Sequence, residues 1–318
     1  MKIGIIDSTR NCYVSQPDIE QACFGDTPVR LFQVSGSDQL PDELAECDGL
    51  ISWHLVPVDA ALIDRLDNCR AIVRAAVGYD NIDLAAAHRR GIAVANVPDY
   101  GTEEVADHTL AMALGLLRHL RQGHRVVSNG SWDWREVGEL PRLSMLRVGL
   151  IGFGRIGMAA ALRFKAFGCD VAFYDPERDS GAEKSLGVRR CESLHELLET
   201  SDLISIHAPL TERTHHLISH RELQLLEGKY LVNTARGPII DSSALLQALA
   251  HRRLRGLALD VYEDERQPIP ALFNEVDNVI LSPHVAFYSQ AALPELRHKA
   301  ASVLKSILEE GHHRNVLR

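Results

Sequence analysis

The sequence predicts an α/β protein of two doubly wound, Rossmann-like or flavodoxin-like parallel-sheet domains. Three observations carry that expectation. Short apolar runs alternate with helix-like segments through nearly all of the 318 residues, the pattern of parallel strands joined by crossover helices. The length suits two domains rather than one. The runs also fall into two sets, parted by a long apolar helix and a polar connection.

The first set of expected strands is KIGIID (2–7), GLISW (49–53), AIVRAA (71–76) and IAVANV (92–97). Residues 101–120, GTEEVADHTLAMALGLLRHL, then read as a helix. Thr102 can cap its N-terminus, and Glu103 and Glu104 suit the positive end of its dipole. From Thr109 to Leu117 it is apolar or small nearly all round, so burial on every side is expected, between domains or between subunits. Residues 121–143 read as an irregular polar connection, with Trp132 and Trp134 as packing anchors. The second set is RVGLIGF (147–153), DVAFYD (170–175), LISIHA (203–208), YLVNT (230–234), GLALDV (256–261) and NVILSP (278–283). A closing amphipathic helix, 293–311, places Leu296, Ala300, Val303, Leu304 and Ile307 at three-to-four spacing.

Hydrophobic residues make up 46% and charged residues 24%, ordinary for a soluble globular protein. The formal net charge is −9 with no long Lys/Arg run, which argues against nucleic-acid and anionic-membrane partners. The N-terminal residues lack the pattern of a signal peptide, and no apolar stretch has membrane-spanning length. The six cysteines are scattered without a CxxC pair, so a reducing cytoplasm is expected.

The stretch VGLIGFGRIG (148–157) follows a strand and opens a helix. Gly152 permits a tight turn, Gly154 lets the backbone approach a pyrophosphate, and Gly157 lets helix pack on strand. The turn with Arg155 and Ile156 at the helix start offers free N–H groups to phosphates. The next strand ends in Asp175, a carboxylate that can accept from both ribose hydroxyls of NAD and would repel the 2′-phosphate of NADP. NAD is therefore the expected cofactor.

Ligands bind outside the carboxyl ends of strands in such sheets. Arg236 follows YLVNT, Glu265 follows GLALDV, and His284 follows NVILSP. Arg offers a planar fork for a carboxylate, His exchanges a proton near neutral pH, and a carboxylate beside His orients the ring. The set suits reduction of a 2-oxo acid, with His284 protonating the carbonyl oxygen, Arg236 binding substrate and Glu265 tuning His284. His215, His216, His220, His312 and His313 have no Cys or carboxylate partner at ligand spacing in the sequence, and no metal is expected.

At these residues the sequence resembles the D-isomer-specific 2-hydroxyacid dehydrogenase family. The matching stretches are VGYDNIDLAAAHRRGIAVANVPDYGTEEVADHTLAMAL (77–114), VGLIGFGRIG, SDLISIHAPLT (201–211), LVNTARGPIID (231–241), LALDVYEDE (257–265) and SPHVAFYS (282–289). The resemblance implies a discontinuous substrate domain, 1–99 and 287–318, with an NAD-binding domain, 100–286, inserted in it. It implies a homodimer formed through helix 101–120. It also implies that Val77 and Gly78 hold the substrate carboxylate, with Thr102 near the nicotinamide phosphate and ribose. His207 and Pro209 would lie along the adenosine, Thr234 near the nicotinamide ribose, and Asp260 at the carboxamide. Two features depart from the family. Arg266 stands where Pro usually follows the catalytic Glu, which makes Glu263 and Asp264 rivals of Glu265. The aromatic run VAFYS looks most like the C-terminal-binding-protein branch, so a dinucleotide-sensing, corepressor-like binding protein is the alternative reading. Residues 1–60 match the family weakly, and Trp53-His54 lies there in a loop expected to bear on substrate choice.

Overall fold

All strands among the described residues pair in parallel, in two separate sheets. The structure, a computed structural model, describes residues 1–317, so residue 318, the last position of the expected 287–318 segment, lies outside the described residues. The chain divides into two units, Met1–Gly101 with Ser289–Arg318, and Thr102–Tyr288, the second inserted into the first.

In the first unit β1 (Ile3–Ser8), β2 (Val29–Val34), β3 (Gly49–Ser52), β4 (Ala71–Arg74) and β5 (Ala93–Asn96) lie in the order β2-β1-β3-β4-β5. Every residue of β1, β3 and β4 is buried, which is why these strands read as unbroken apolar runs. The edge strand β2, VRLFQV, leaves Arg30 and Gln33 exposed, and its polar interruptions hid it from the sequence reading. The helix Ala292–Glu310 buries Leu296, Ala300, Val303, Leu304 and Ile307, as its spacing predicted. Gly49 lets it sit close: a Cβ there would stand 2.8 Å from Leu304 Cδ1 and Leu308 Cδ1. Arg297 fastens it to the helix Asp18–Phe24, donating to the fully buried Glu20 carboxylate at 2.8 and 2.6 Å.

In the second unit β6 (Arg147–Ile151), β7 (Asp170–Tyr174), β8 (Arg189–Arg190), β9 (Leu203–Ile206), β10 (Tyr230–Asn233), β11 (Gly256–Leu259) and β12 (Val279–Leu281) lie in the order β12-β11-β10-β9-β6-β7-β8. The order reverses between β6 and β9, the switch point at which doubly wound sheets leave a crevice for a ligand.

The long apolar helix differs from expectation at two points. It runs Thr102–Leu117, and His119, at φ 48°, turns the chain into a second helix, Leu120–Ser128, inside the stretch expected to be irregular. Its apolar surface is also only partly covered within this chain. Met112, Ala113, Leu116 and Leu117 are buried, Leu110 and Leu114 half-buried, and Ala111 exposed. Trp132 and Trp134 are not packing anchors within this chain, being 88% and 80% exposed.

Candidate active site

The glycine turn sits on the switch point, and Gly152 and Gly157 are required there for different reasons. Gly152 follows β6 at φ +92°, and a Cβ on it would lie 2.6 Å from the Ala208 nitrogen. Gly157 lies in the first turn of the helix Arg155–Ala166, where a Cβ would stand 2.3 Å from the Gly152 oxygen. Gly154 precedes that helix with no side-chain cap, and a Cβ there would meet nothing within 4 Å. Arg155 and Ile156 are the first two helical residues. Asp175, just past β7, is held against the turn: Oδ2 accepts from the Phe153 N–H at 2.7 Å, and Oδ1 from the Glu177 N–H at 3.0 Å. An uncapped helix end, open space beside Gly154 and an immobilised carboxylate fit the pyrophosphate and ribose of a dinucleotide.

His207 ends β9 across the switch point. Its Nε2 lies 2.9 Å from Ser205 Oγ, and its Nδ1 is enclosed without a partner. Burial pushes the imidazole down to about 4, so the ring is neutral at physiological pH. Pro209 is exposed beyond it, and Thr102 is the half-buried first residue of its helix. Thr234 is buried with Oγ1 2.7 Å from Thr109 Oγ1.

Arg236, Glu265 and His284 follow β10, β11 and β12, three neighbours in the sheet. Asn233 shapes the first turn, donating from Nδ2 to the Arg236 carbonyl at 2.9 Å and accepting the Ala235 N–H at 3.0 Å. Gly237 lets that turn lie on the segment after β11, since a Cβ would fall 2.0 Å from the Tyr262 carbonyl. The Arg236 guanidinium is half-buried and donates to the Ala235 carbonyl at 2.8 Å.

His284 adopts a left-handed backbone, φ 52°, a conformation uncommon outside glycine. Asp260 is what holds it. The Asp260 carbonyl accepts the His284 N–H at 2.8 Å, and its carboxylate accepts from Ser282 Oγ and the Val285 and Ala286 N–H groups at 2.6, 2.9 and 3.0 Å. The 2% exposed Asp260 thus shapes the turn that presents His284. The His284 Nδ1 lies 3.0 and 2.9 Å from the two Glu265 oxygens, and Phe287 stands edge-on to the imidazole with centroids 6.4 Å apart.

The two rival acids are engaged elsewhere. Glu263 Oε1 pairs with His216 Nε2 at 2.8 Å, and Oε2 accepts the Ser242 N–H at 3.0 Å. Asp264 Oδ1 accepts from the Arg266 backbone and Nε at 3.1 and 3.2 Å. Arg266 in place of proline therefore leaves Glu265 on His284.

In the first unit Val77 and Gly78 lie half-buried in the loop after β4, where Asn96 Nδ2 donates to the Val77 carbonyl at 2.6 Å. Asn81, which the sequence reading passed over, fastens this loop. It donates to the Trp53 and Val56 carbonyls at 3.1 Å and accepts from Arg74 Nε at 2.7 Å. Tyr13 stacks on the buried Trp53 at 4.6 Å, with His54 beside it at 5.4 Å. Asp7 holds the Tyr13 segment through the Tyr13 and Val14 N–H groups at 2.7 and 2.9 Å. A carboxylate ending an otherwise apolar strand was the available signal for Asp7.

A doubly wound sheet with such a turn at its switch point defines a dinucleotide-binding domain. Comparison with known proteins narrows this. Residues 110–286 match the model of the D-isomer specific 2-hydroxyacid dehydrogenase, NAD binding domain. A glyoxylate reductase of Thermofilum pendens is 35% identical over 276 residues, 86% of this chain and 81% of that protein. The structure of the Aquifex aeolicus D-lactate dehydrogenase with NAD and lactic acid superposes with a TM-score of 0.86 at 30% identity, covering 100% of both chains. An NADPH-dependent glyoxylate/hydroxypyruvate reductase of Sinorhizobium meliloti gives 0.87 at 27% identity, covering 99% of this chain and 96% of that one. The chain belongs to the D-isomer specific 2-hydroxyacid dehydrogenase family. It is an NAD-dependent oxidoreductase acting on the CH–OH group. The matches do not favour the corepressor-like alternative.

Proposed function

We propose that the protein reduces a small 2-oxo acid to the corresponding 2-hydroxy acid, with His284 as the general acid. The observation that carries this reading is the His284 Nδ1 contact with both Glu265 oxygens. A carboxylate on Nδ1 fixes the orientation of the ring and leaves Nε2 as the nitrogen that hands the proton to substrate. Bound NADH supplies the hydride. His284 delivers a proton to the carbonyl oxygen, Arg236 pairs with the substrate carboxylate, and the backbone of Val77 and Gly78 contributes N–H groups to it. Asp175 and the turn Gly152–Gly157 bind the adenosine half. His207 and Pro209 flank it, and Thr102, Thr234 and Asp260 border the nicotinamide half, Asp260 also setting the turn beneath His284. The glyoxylate reductase and D-lactate dehydrogenase relatives point to two- and three-carbon acids.

Turnover of glyoxylate, pyruvate, hydroxypyruvate and phenylpyruvate, followed through nicotinamide absorbance, tests the reading. The small acids are expected to turn over well ahead of phenylpyruvate. Turnover of none of the four would sink it.

We further propose a homodimer, built on the uncovered apolar residues of helix Thr102–Leu117 and on the exposed Trp132 and Trp134 of the same unit. Large apolar side chains left in water mark an association surface. Sedimentation at micromolar concentration is expected to give twice the chain mass, and Trp132→Ser with Trp134→Ser to shift it toward the monomer. All six cysteines are free thiols, which suits a cytoplasmic location. Among the described residues no helix is long and apolar enough to cross a membrane.

A further inference from the structure

Beyond this reaction, we infer that His215, His216 and Glu263 form a binding site for a divalent transition-metal cation of the zinc class. The sequence separates the carboxylate from the histidine pair, and the fold restores it. The loop 211–216 leads from β9, and Glu263 follows β11. The His216 N–H donates to the Pro238 carbonyl at 2.8 Å, and its backbone adopts φ 52°. That conformation turns the imidazole toward Glu263, where Nε2 and Oε1 are 2.8 Å apart. The His215 ring stacks on the His216 ring with centroids 4.0 Å apart. One nitrogen from each ring and one Glu263 oxygen lie within 4.8 Å of one another.

Two imidazoles and one carboxylate are a zinc donor set, with ligand bonds of about 2.0–2.2 Å and room for water in a fourth position. To share one ion the His215 ring turns out of its stack on His216, because the in-plane lone pairs of stacked rings run side by side. Imidazole-rich sites also take Co²⁺, Ni²⁺ and Cu²⁺. Glu263 is held ready, because Oε2 accepts the Ser242 N–H at 3.0 Å while Oε1 faces the rings. Its carboxyl is raised by partial burial, but the bonds from Ser242 and His216 outweigh this and hold it below the usual carboxylate range. The site is open to water: the His216 and Glu263 side chains are 35% and 32% exposed.

The proton balance is defined. A neutral His216 that donates Nε2–H to Glu263 moves that proton to Nδ1 when Nε2 binds the ion, and an imidazolium releases one proton to solvent. Affinity therefore falls as the pH is lowered and protons compete for the ligand atoms. An ion here ties loop 211–216 to the segment that carries Glu265 two residues further on.

Visible absorption of Co²⁺ added to the chelator-treated full-length protein tests this without reference to turnover. One Co²⁺ per chain with tetrahedral-type bands, displaced by Zn²⁺, is expected. His215→Ala removes an exposed ligand and is expected to weaken binding by about tenfold or more, since even outer-sphere changes cost that much. Glu263→Gln should do the same, and His313→Ala should leave binding unchanged. No saturable Co²⁺ binding, or equal affinity in wild type and His215→Ala, would overturn the assignment, whatever the outcome for the reductase reading.

Discussion

His284→Ala is expected to lower kcat by about 10²–10⁴-fold, the usual contribution of a positioned acid–base group. NADH binding should stay close to wild type, because the glycine turn and Asp175 follow β6 and β7, several strands from the β12 that His284 follows. The size of the effect follows from the arrangement of the His284 turn. Its left-handed backbone is held by four bonds to Asp260, and its Nδ1 is engaged by both oxygens of Glu265. A ring fixed this firmly delivers its proton along one direction, and alanine leaves water to do so without guidance. His284→Gln keeps a donor of similar reach but cannot release a proton, so it should be nearly as slow. A loss of less than tenfold in either variant would remove His284 from the proposed role.

The second large effect concerns cofactor choice. Wild type is expected to bind NADH far more tightly than NADPH, and Asp175→Ser to reduce that preference strongly. The Asp175 carboxylate is pinned by the Phe153 and Glu177 N–H groups, so it cannot swing away from a 2′-phosphate. Hydrogen bonds to a charged acceptor contribute ~1.5–3 kcal/mol each. Losing them should weaken NADH by roughly 10- to 100-fold, while removal of the repulsion lets NADPH bind. Fluorescence titration of both nucleotides reads the result directly. Equal affinities in the wild type would mean that Asp175 does not face the ribose. The Sinorhizobium relative works with NADPH, so the fold alone does not set the preference.

The sequence made the second sheet and its turn legible because both depend on local chemistry. A buried parallel strand must be apolar throughout, and Gly152 and Gly157 answer to contacts that any Cβ would break. The strand-end positions of Arg236, Glu265 and His284 were legible for the same reason. Other features depend on partners distant in the chain. The three acids of EDE look alike in sequence, and only the folded arrangement gives Glu263 to His216, Asp264 to Arg266 and Glu265 to His284. Asn81 and Asn233 are ordinary polar residues until the carbonyls they satisfy are known. The edge strands β2 and β8 escaped because an edge carries polar residues or is very short. Helix Leu120–Ser128 escaped because it buries none of its residues, and its Arg, Gln, Gly and His read as a polar connection although it carries one apolar side.

Single-turnover oxidation of bound NADH by glyoxylate, in wild type and Glu265→Gln side by side, isolates the step in which His284 gives up its proton. Rapid oxidation is expected in the wild type. The step is expected to be at least tenfold slower in Glu265→Gln with NADH affinity retained, because a neutral amide no longer holds Nδ1 with two charged acceptor oxygens. Equal rates in the two proteins, or saturable NADH binding with no oxidation by glyoxylate or any other small 2-oxo acid, would contradict the proposed reaction.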